Sequence, residues 1–543
     1  MKLSLEGLKQ ADAWKAAGVK LPAYDICQVA ENTRKAPVWV HFGIGNIFRI
    51  FIGGLADRLI EEKETDKGII CVESFDFDVV DKIYDAYDNL VLGVTLKADG
   101  STDKQVIGSL AEAIKAQTGI EATWKRLREI FTDPGLQMVS FTITEKGYAL
   151  KGSDGSFFPF VQADIDAGPG SEECAPAYNS AMSVVAALLY ERYKTGKYPM
   201  AVVSMDNCSH NGEKLMSSVV GMAKAWADKG LVPAEFCAWL QDESQIAFPW
   251  SMIDKITPRP AESVQAELEK LGIENMAPVI TSKRTYIAPF VNAEGPQYLV
   301  IEDKFPNGRP ALEKAGVYMT DRDTVNKVER MKVTTCLNPL HTGLAVYGCL
   351  LGYTLIADEM KDPQLKELVH RIGPVEGMPV VTDPGILSPE AFVDEVINIR
   401  IPNPFMPDTP QRIATDTSQK VGIRYGETIK SYVEKYGDAK KLEAIPLALA
   451  GWLRYLLGVD DEGKVFERSS DPMLDELTAA LDGLKLGDTT ADIHGKLAPI
   501  LSNANIFGSN LYEAGLGEKI EELFREELAG PGAVRATLVK YLG

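Results

Sequence analysis

Between residues 36 and 207, short apolar runs alternate with segments of helical period, and this alternation narrows the possible folds more than any other feature. The runs "APVWVHF" (36–42), "GIICVES" (68–74), "LVLGVTL" (90–96), "LQMVSFTIT" (136–144) and "YPMAVVSMDN" (198–207) read as strands. Helical patterns fill the intervals at 47–63, 78–87, around 103–131, and at 180–196, where a glycine stops the helix. Strands alternating with helices predict a parallel, doubly wound sheet. Segment 151–178 is rich in Gly, Pro, Asp and Ser and is expected to be a long loop, a lid or an oligomer contact. After about residue 310 the pattern turns helical, at 322–335, 339–360, 362–371, 388–397, 410–435, 440–457 and 472–485, then in a helical tail. A chain of 543 residues is too long for one ordinary core. We therefore expect an α/β Rossmann-type N-terminal domain over 1–285 and a mainly α-helical C-terminal domain over 286–543.

The first strand runs into "FGIGNIFR", a strand followed by Gly43-Ile44-Gly45 and then a helix. Glycines at such a turn let backbone approach a pyrophosphate, and the helix N-terminus supplies N–H groups and a positive dipole end. The third glycine of the usual fingerprint is absent, since position 48 is Phe. A plain turn gives the same short pattern. The next strand ends at Glu73, where an acid can hold both ribose hydroxyls of NAD and repel the 2′-phosphate of NADP. Asp76 and Asp78 are alternatives for that place, and a solvated strand-end charge is the plainer reading.

Formal charge is −20, from 77 acidic and 57 basic residues, with no basic run. Such a surface repels nucleic acid and anionic membranes. The seven cysteines form no CxxC pair and the five histidines form no HExxH, so no metal site is expected and the thiols fit a cytoplasmic protein. The N-terminus lacks a signal-peptide pattern, and the longest apolar stretch, "GLAVYGCLLGYTLIA", is too short for a membrane span and reads as a buried core helix.

Further polar groups stand at strand ends. Asp206, Asn207, His210 and Asn211 cluster at the C-terminal end of the 198–207 strand, on the edge where open α/β sheets hold ligands. An Asx-rich turn and helix cap would look the same. Asp254 lies in "FPWSMIDKITPRP", and a structural acceptor is its bland reading. Arg412 and Lys420 are eight residues apart, about two helical turns, and so share a face of one helix. Two cations on one face suit a polyhydroxylated or carboxylated ligand, while a solvated face with internal ion pairs is the alternative.

The stretch "MKVTTCLNPLHTG" (331–343) sets Lys332, Asn338 and His341 ahead of an apolar run. On an ideal helix the nine residues from Lys332 to His341 turn the side chain by about 180°. A single straight helix would point the two apart. Pro339 cannot donate an N–H and biases Asn338 away from helical geometry. Asn338 is then expected to cap a new helix, or a one-residue bulge to interrupt the old one. Either break would turn Lys332 toward the same pocket. A desolvated lysine is a competent general acid or base, and amide N–H groups stabilise a developing alkoxide. Glu329 lies three residues before Lys332, close enough to tune it. A capped helix with an incidental lysine remains the structural alternative.

Seven ordered motifs carry a resemblance to a family. They are "HFGIGNIFR", "SFTITEKGY", "SMDNCSHNG", "FPWSMIDKITP", "IEDKFPNGRP", "VERMKVTTCLNPLHTGLAVYGCLLGY" and "NPFMPDTPQRIATDTSQK". The chain resembles the polyol-specific long-chain dehydrogenase/reductase family, whose members include mannitol 2-dehydrogenase, fructuronate reductase and tagaturonate reductase. The resemblance implies a Rossmann-type domain, a helical domain, an active site in the cleft between them, and metal-independent hydride transfer with NAD(P), of which the acid at Glu73 favours NAD. Carried over by motif, Lys332 is the general acid/base, and Asn207 and Asn338 stabilise the oxyanion. His341, Asp254, Arg412 and Lys420 contact substrate, and Asp206 and Asn211 join that set. Gly43, Ile44, Gly45, Asn46, Ile47, Arg49 and Glu73 form the cofactor set. Six residues separate Lys332 from Asn338 where the family usually has five, and Asn-Pro-Leu-His replaces Asn-Gly-Ser-His, which marks a divergent subgroup. The expected substrate is a small sugar acid or polyol, with D-fructuronate and D-mannonate first. Mannitol 2-dehydrogenase and tagaturonate reductase are the alternatives, and an NAD-binding regulatory protein is the non-enzymatic one. A monomer or small homo-oligomer is expected.

Overall fold

Six strands of the first half join into one parallel sheet in the computed structural model, which describes residues 1–488 and 490–543. Their order is Leu110–Lys115, Ile69–Glu73, Trp39–Phe42, Met138–Phe141, Met200–Ser204 and Ile246–Ala247. Alternate residues feed two separate cores. Val40, Phe42, Ile70, Val72, Val139, Phe141 and Val202 pack into one, and Trp39, Ile69, Cys71, Met138, Ala201 and Val203 into the other. A sheet buried on both faces needs apolar residues at both parities, which is why its strands read as continuous apolar runs. The chain starts at Trp39–Phe42, moves outward to Ile69–Glu73 and Leu110–Lys115, then crosses to Met138–Phe141 on the other side. The switch point thus lies between Trp39–Phe42 and Met138–Phe141, with a crevice expected at their carboxyl ends.

Two expectations shift here. The stretch 103–131 is helical only over Glu121–Thr132; Thr102–Ile107 and Leu110–Lys115 are strands. Thr102–Ile107 pairs antiparallel with Val91–Leu96 in a second, four-stranded sheet, and Leu110–Lys115 extends the main sheet beside Ile69–Glu73. Pairing partners outweighed a weak local preference. The segment 151–178 also contains a helix, Pro159–Ala167.

The chain forms two compact units, Met1–Asn326 and Lys327–Gly543. The division falls 41 residues beyond the expected 285 (326 − 285), because later strands belong to the first unit's sheets. Phe290–Glu294 pairs with Val91–Leu96, and Tyr298–Glu302 pairs with Ser251–Asp254. The second unit is helical and centres on Ala444–Tyr455, which is buried at every position, and on Asn338–Leu350. Helices apolar on all sides must sit inside a bundle. The apolar run from Gly343 is therefore a core helix, but it stops at Leu350, and Gly352 turns the chain with φ +77°. Among the described residues no helix is long and apolar enough to cross a membrane, and no cluster of His, Cys, Asp and Glu could hold a metal.

Candidate active site

In the first unit, the strand Trp39–Phe42 ends on Gly43, whose φ is +85°. Its N–H donates to Val72 O (3.1 Å), which joins the turn to the neighbouring strand. Ile44 is fully buried in the core, while a side chain at Gly45 would meet nothing within 4 Å. Asn46 and Ile47 open the helix that follows, and its turn Phe48–Ile52 is widened to i→i+5 bonding. The site thus offers open space directly over a tight turn and a helix start, which fits a pyrophosphate. Arg49 behaves differently from expectation. Its Nη1 donates to Ala288 O (2.8 Å) and its Nη2 to Pro289 O (2.9 Å), and burial draws its guanidinium down to about 10. It fastens the helix to the 288–289 segment.

Glu73 ends its strand with 8% exposure. Its Oε1 accepts from Phe75 N (2.8 Å) and Asp76 N (3.2 Å), and Oε2 accepts weakly from Ile44 N (3.5 Å). Burial raises this carboxyl above its ordinary range, while those amides pull it back. The carboxylate therefore organises the strand end and keeps acceptor capacity on Oε2 for ribose hydroxyls. Asp76 Oδ2 accepts from the hydroxyls of Thr281 (2.6 Å) and Thr285 (2.5 Å), and Asp78 pairs with Lys82 (2.9 Å).

The next strand end separates residues that look alike in sequence. Asp206 accepts from Ile143 N (2.9 Å), Thr144 N (3.0 Å) and Tyr148 OH (2.5 Å). Asn211 donates to Ser204 O, Asp206 O and Ser251 Oγ, and accepts from Ser251 N (3.0 Å). Both were expected at the substrate. Their polar atoms clamp the 143–148 segment and tie Met200–Ser204 to Ser251–Asp254. Asn207, between them, is exposed at the carboxyl edge of the sheet. His210 stacks on Trp250 with ring centroids 4.4 Å apart, and Asp254 closes a strand paired with Tyr298.

In the second unit, the helix bearing Lys332 is broken. Residues Lys332–Cys336 form an i→i+5 turn, closed by Leu337 N donating to Lys332 O (3.1 Å). Leu337 then leaves helical geometry (φ −133°, ψ −62°), and a new helix begins at Asn338 with Pro339 in its first turn. Asn338 is thus the first helical residue, and Leu337, not Asn338, takes the capping position. A widened turn absorbs one residue and Leu337 interrupts the helical path, so the half-turn that a straight helix would set between Lys332 and His341 no longer applies.

Arg412 and Lys420 do not share a continuous helix. The helix Pro410–Ile413 ends at once, Asp416 takes a left-handed conformation (φ +53°), and Thr417–Gln419 is a separate 3-10 turn. Arg412 is held by Asp408 through two bonds (2.6 and 2.5 Å). Lys420 donates to Thr415 O and Ile413 O, and burial lowers its pKa, with Arg424 adding to the effect. His341 is pushed down to about 4 by burial, opposed by Asp408 and reinforced by Arg400, Arg424 and Arg412, and so is neutral at pH 7. Arg400, Asp408 and Arg424 were missed by sequence reasoning. Arg424 follows Lys420 by four residues, the spacing of neighbours on a helix, and that was the available signal.

Comparison with known proteins gives a consistent picture. A family model described as the mannitol dehydrogenase Rossmann domain matches residues 37–314, and one described as the mannitol dehydrogenase C-terminal domain matches 324–524. The chain is 54% identical to the D-mannonate oxidoreductase of Thermotoga maritima over 547 residues, covering 100% of this chain and 99% of that protein. Among solved structures it is similar to a substrate-free D-sorbitol dehydrogenase, with a TM-score of 0.75 and 27% identity over 96% of this chain and 98% of that one. It is also similar to Pseudomonas fluorescens mannitol 2-dehydrogenase in ternary complex with NAD and D-mannitol, with a TM-score of 0.70 and 25% identity over 99% of each.

Proposed function

The chain belongs to the mannitol dehydrogenase family, and on that premise we propose that it is an NAD-dependent oxidoreductase interconverting D-fructuronate and D-mannonate. The observation that carries the substrate is the 54% identity to a D-mannonate oxidoreductase along the whole chain. Arg400 and Arg424 near His341, with Arg412 already paired to Asp408, support an acidic substrate. The open turn at Gly45 and the strand-end acid Glu73 would hold the dinucleotide. Bound NAD supplies or accepts the hydride. The chain's own groups do the rest. In the reduction, the amides of Asn207 and Asn338 donate to the developing alkoxide, and Lys332 gives it a proton. In the oxidation, Lys332 takes that proton from the hydroxyl. Neutral His341 holds a neighbouring hydroxyl, and Asp254, Arg412 and Lys420 orient the rest of the substrate. Seven cysteines, none in a disulfide, fit a cytoplasmic enzyme.

Steady-state rates with NAD⁺ on D-mannonate, D-altronate, mannitol and arabitol test this reading. D-mannonate should give the highest kcat/KM. Oxidation of mannitol alone would make the chain a mannitol 2-dehydrogenase, and preference for D-altronate a tagaturonate reductase. NADH binding without turnover on any of the four would leave a regulatory protein.

The cofactor half has its own test in Glu73→Gln. The amide keeps an acceptor for Phe75 and Asp76 and removes the charge. The ratio of NADPH to NADH dissociation constants, read by fluorescence titration, should fall about tenfold, the effect of losing one charge repelling the 2′-phosphate. An unchanged ratio would assign the exclusion to another residue, with Asp76 first in line.

A further inference from the structure

Arg424 is a group in the second unit whose chemistry the mechanism leaves unused. It sits in the widened turn Gly422–Gly426. Its Nη1 donates to Thr342 Oγ1 (2.6 Å), and Thr342 Oγ1 donates in turn to Asn338 O (3.0 Å). One face of the guanidinium is therefore fixed to the helical turn that carries Asn338 and His341. Tyr425 reinforces this attachment, its hydroxyl donating to Pro339 O (2.8 Å). The position of Arg424 relative to Asn338 and His341 is set by short bonds on two consecutive residues.

The neighbouring cations are already matched and Arg424 is not. Arg412 is neutralised by the two-point contact with Asp408, and Lys420 is held by carbonyls. Among the described residues, no carboxylate pairs with Arg424, and its bond to Thr342 is the single one it makes. Nε and Nη2 have no protein partner, yet they are absent from the fully buried unpartnered atoms, so they open onto accessible space. Burial draws the guanidinium down to about 10, which still leaves it charged at neutral pH. A cation taken largely out of water with no counter-charge is costly, and that cost is offset when an anion arrives. The remaining edge, Nε with Nη2, is the planar fork that receives a carboxylate through two parallel bonds.

We propose that Arg424 receives the carboxylate of the sugar-acid substrate and sets the preference for uronates over neutral ketoses and polyols. This rests on the uronate reading above. Arg412 and Lys420 are then left to orient hydroxyls.

The test compares wild type, Arg424→Met and Arg424→Lys on D-fructuronate and on D-fructose, the same ketose without the carboxylate, with NADH. Losing one or two charge-assisted bonds should raise the KM for D-fructuronate about 30- to 300-fold. The ratio of kcat/KM values, fructuronate to fructose, should collapse with it. Arg424→Lys should fall between, because it keeps charge without the fork. The same contrast is read without turnover as dissociation constants of D-mannonate and mannitol for the NADH-loaded enzyme, with thermal melting as the check on folding. A fructuronate KM within about threefold of wild type overturns the assignment, as does a parallel loss on both substrates, which would mark a merely structural arginine. Both results leave the uronate reading standing. A wild-type enzyme inert toward D-fructuronate and D-mannonate sinks that reading and this inference together.

Discussion

Lys332→Met should lower kcat by about 10²- to 10⁴-fold, the range lost when a positioned general acid or base is removed. The dissociation constant for NADH should stay within about threefold of wild type, because the turn at Gly43–Gly45 and Glu73 belong to the other unit. Lys332 is 2% exposed and opens the widened turn. Methionine matches its length and fits a buried site, so the fold should hold. The turn is held by bonds that do not involve the ammonium. It is closed by Leu337 N on Lys332 O, and Thr334 is fixed by its hydroxyl to Arg330 O (2.8 Å) and by Thr428 Oγ1 on its carbonyl (3.2 Å). A structural lysine and a proton-transferring one are separated by chemical rescue. In Lys332→Ala, added primary amines should restore part of the rate in proportion to their concentration and basicity. Retained activity in Lys332→Met would mean that another group carries the proton, and His341, neutral at pH 7, would be tested next.

The elements that were legible in the sequence are those whose surroundings leave a mark on residue type. The central strands read correctly because both faces are buried, so most positions are apolar and the exceptions, His41, Glu73, Ser140 and Ser204, are buried as well. The break before His341 was legible because Pro339 has no N–H to give, although the non-helical residue proved to be Leu337. What failed depends on partners far along the chain. Thr102–Ile107 has a mixed, half-exposed pattern and becomes a strand through Val91–Leu96. The Arg412–Lys420 spacing suggested one helix, and nothing in residue type announced that Asp416 would turn left-handed between them. Site residues show the same divide. Asp206, Asn207 and Asn211 are equally polar in sequence. Only the bonds to Tyr148, Ser251 and the 143–144 amides reveal that Asp206 and Asn211 also brace the scaffold. Arg424 has the opposite history, because its importance lies in the carboxylate it lacks.

Gly43→Ala and Gly45→Ala should part company, since one position is closed by the protein and the other is open. At Gly43, φ of +85° already disfavours any side chain, and an added Cβ would stand 2.2 Å from Thr142 O and 2.8 Å from Ile143 Cγ2. Thr142 cannot retreat cheaply. Its N–H donates to Phe42 O (2.9 Å), its hydroxyl donates to Gly43 O (2.7 Å), and His41 Nε2 lies 2.9 Å from that hydroxyl. Trp39–Phe42 and Met138–Phe141 are adjacent in the sheet, so moving one peptide strains the register of both. Strain of this kind costs about 1–3 kcal/mol before the clash is counted, and the melting temperature should drop by at least about 2–5 °C. At Gly45 the φ is not positive and a Cβ meets nothing within 4 Å, so Gly45→Ala should melt within about 2 °C of wild type. It should nonetheless weaken NADH binding about tenfold, because the methyl group enters the space that a pyrophosphate would fill. Calorimetric melting and NADH titration on the two variants give the answer together. If Gly45→Ala bound NADH as tightly as wild type, the open space would not be the cofactor's, and the strand-end carboxylate Glu73 would have to be reassigned along with it.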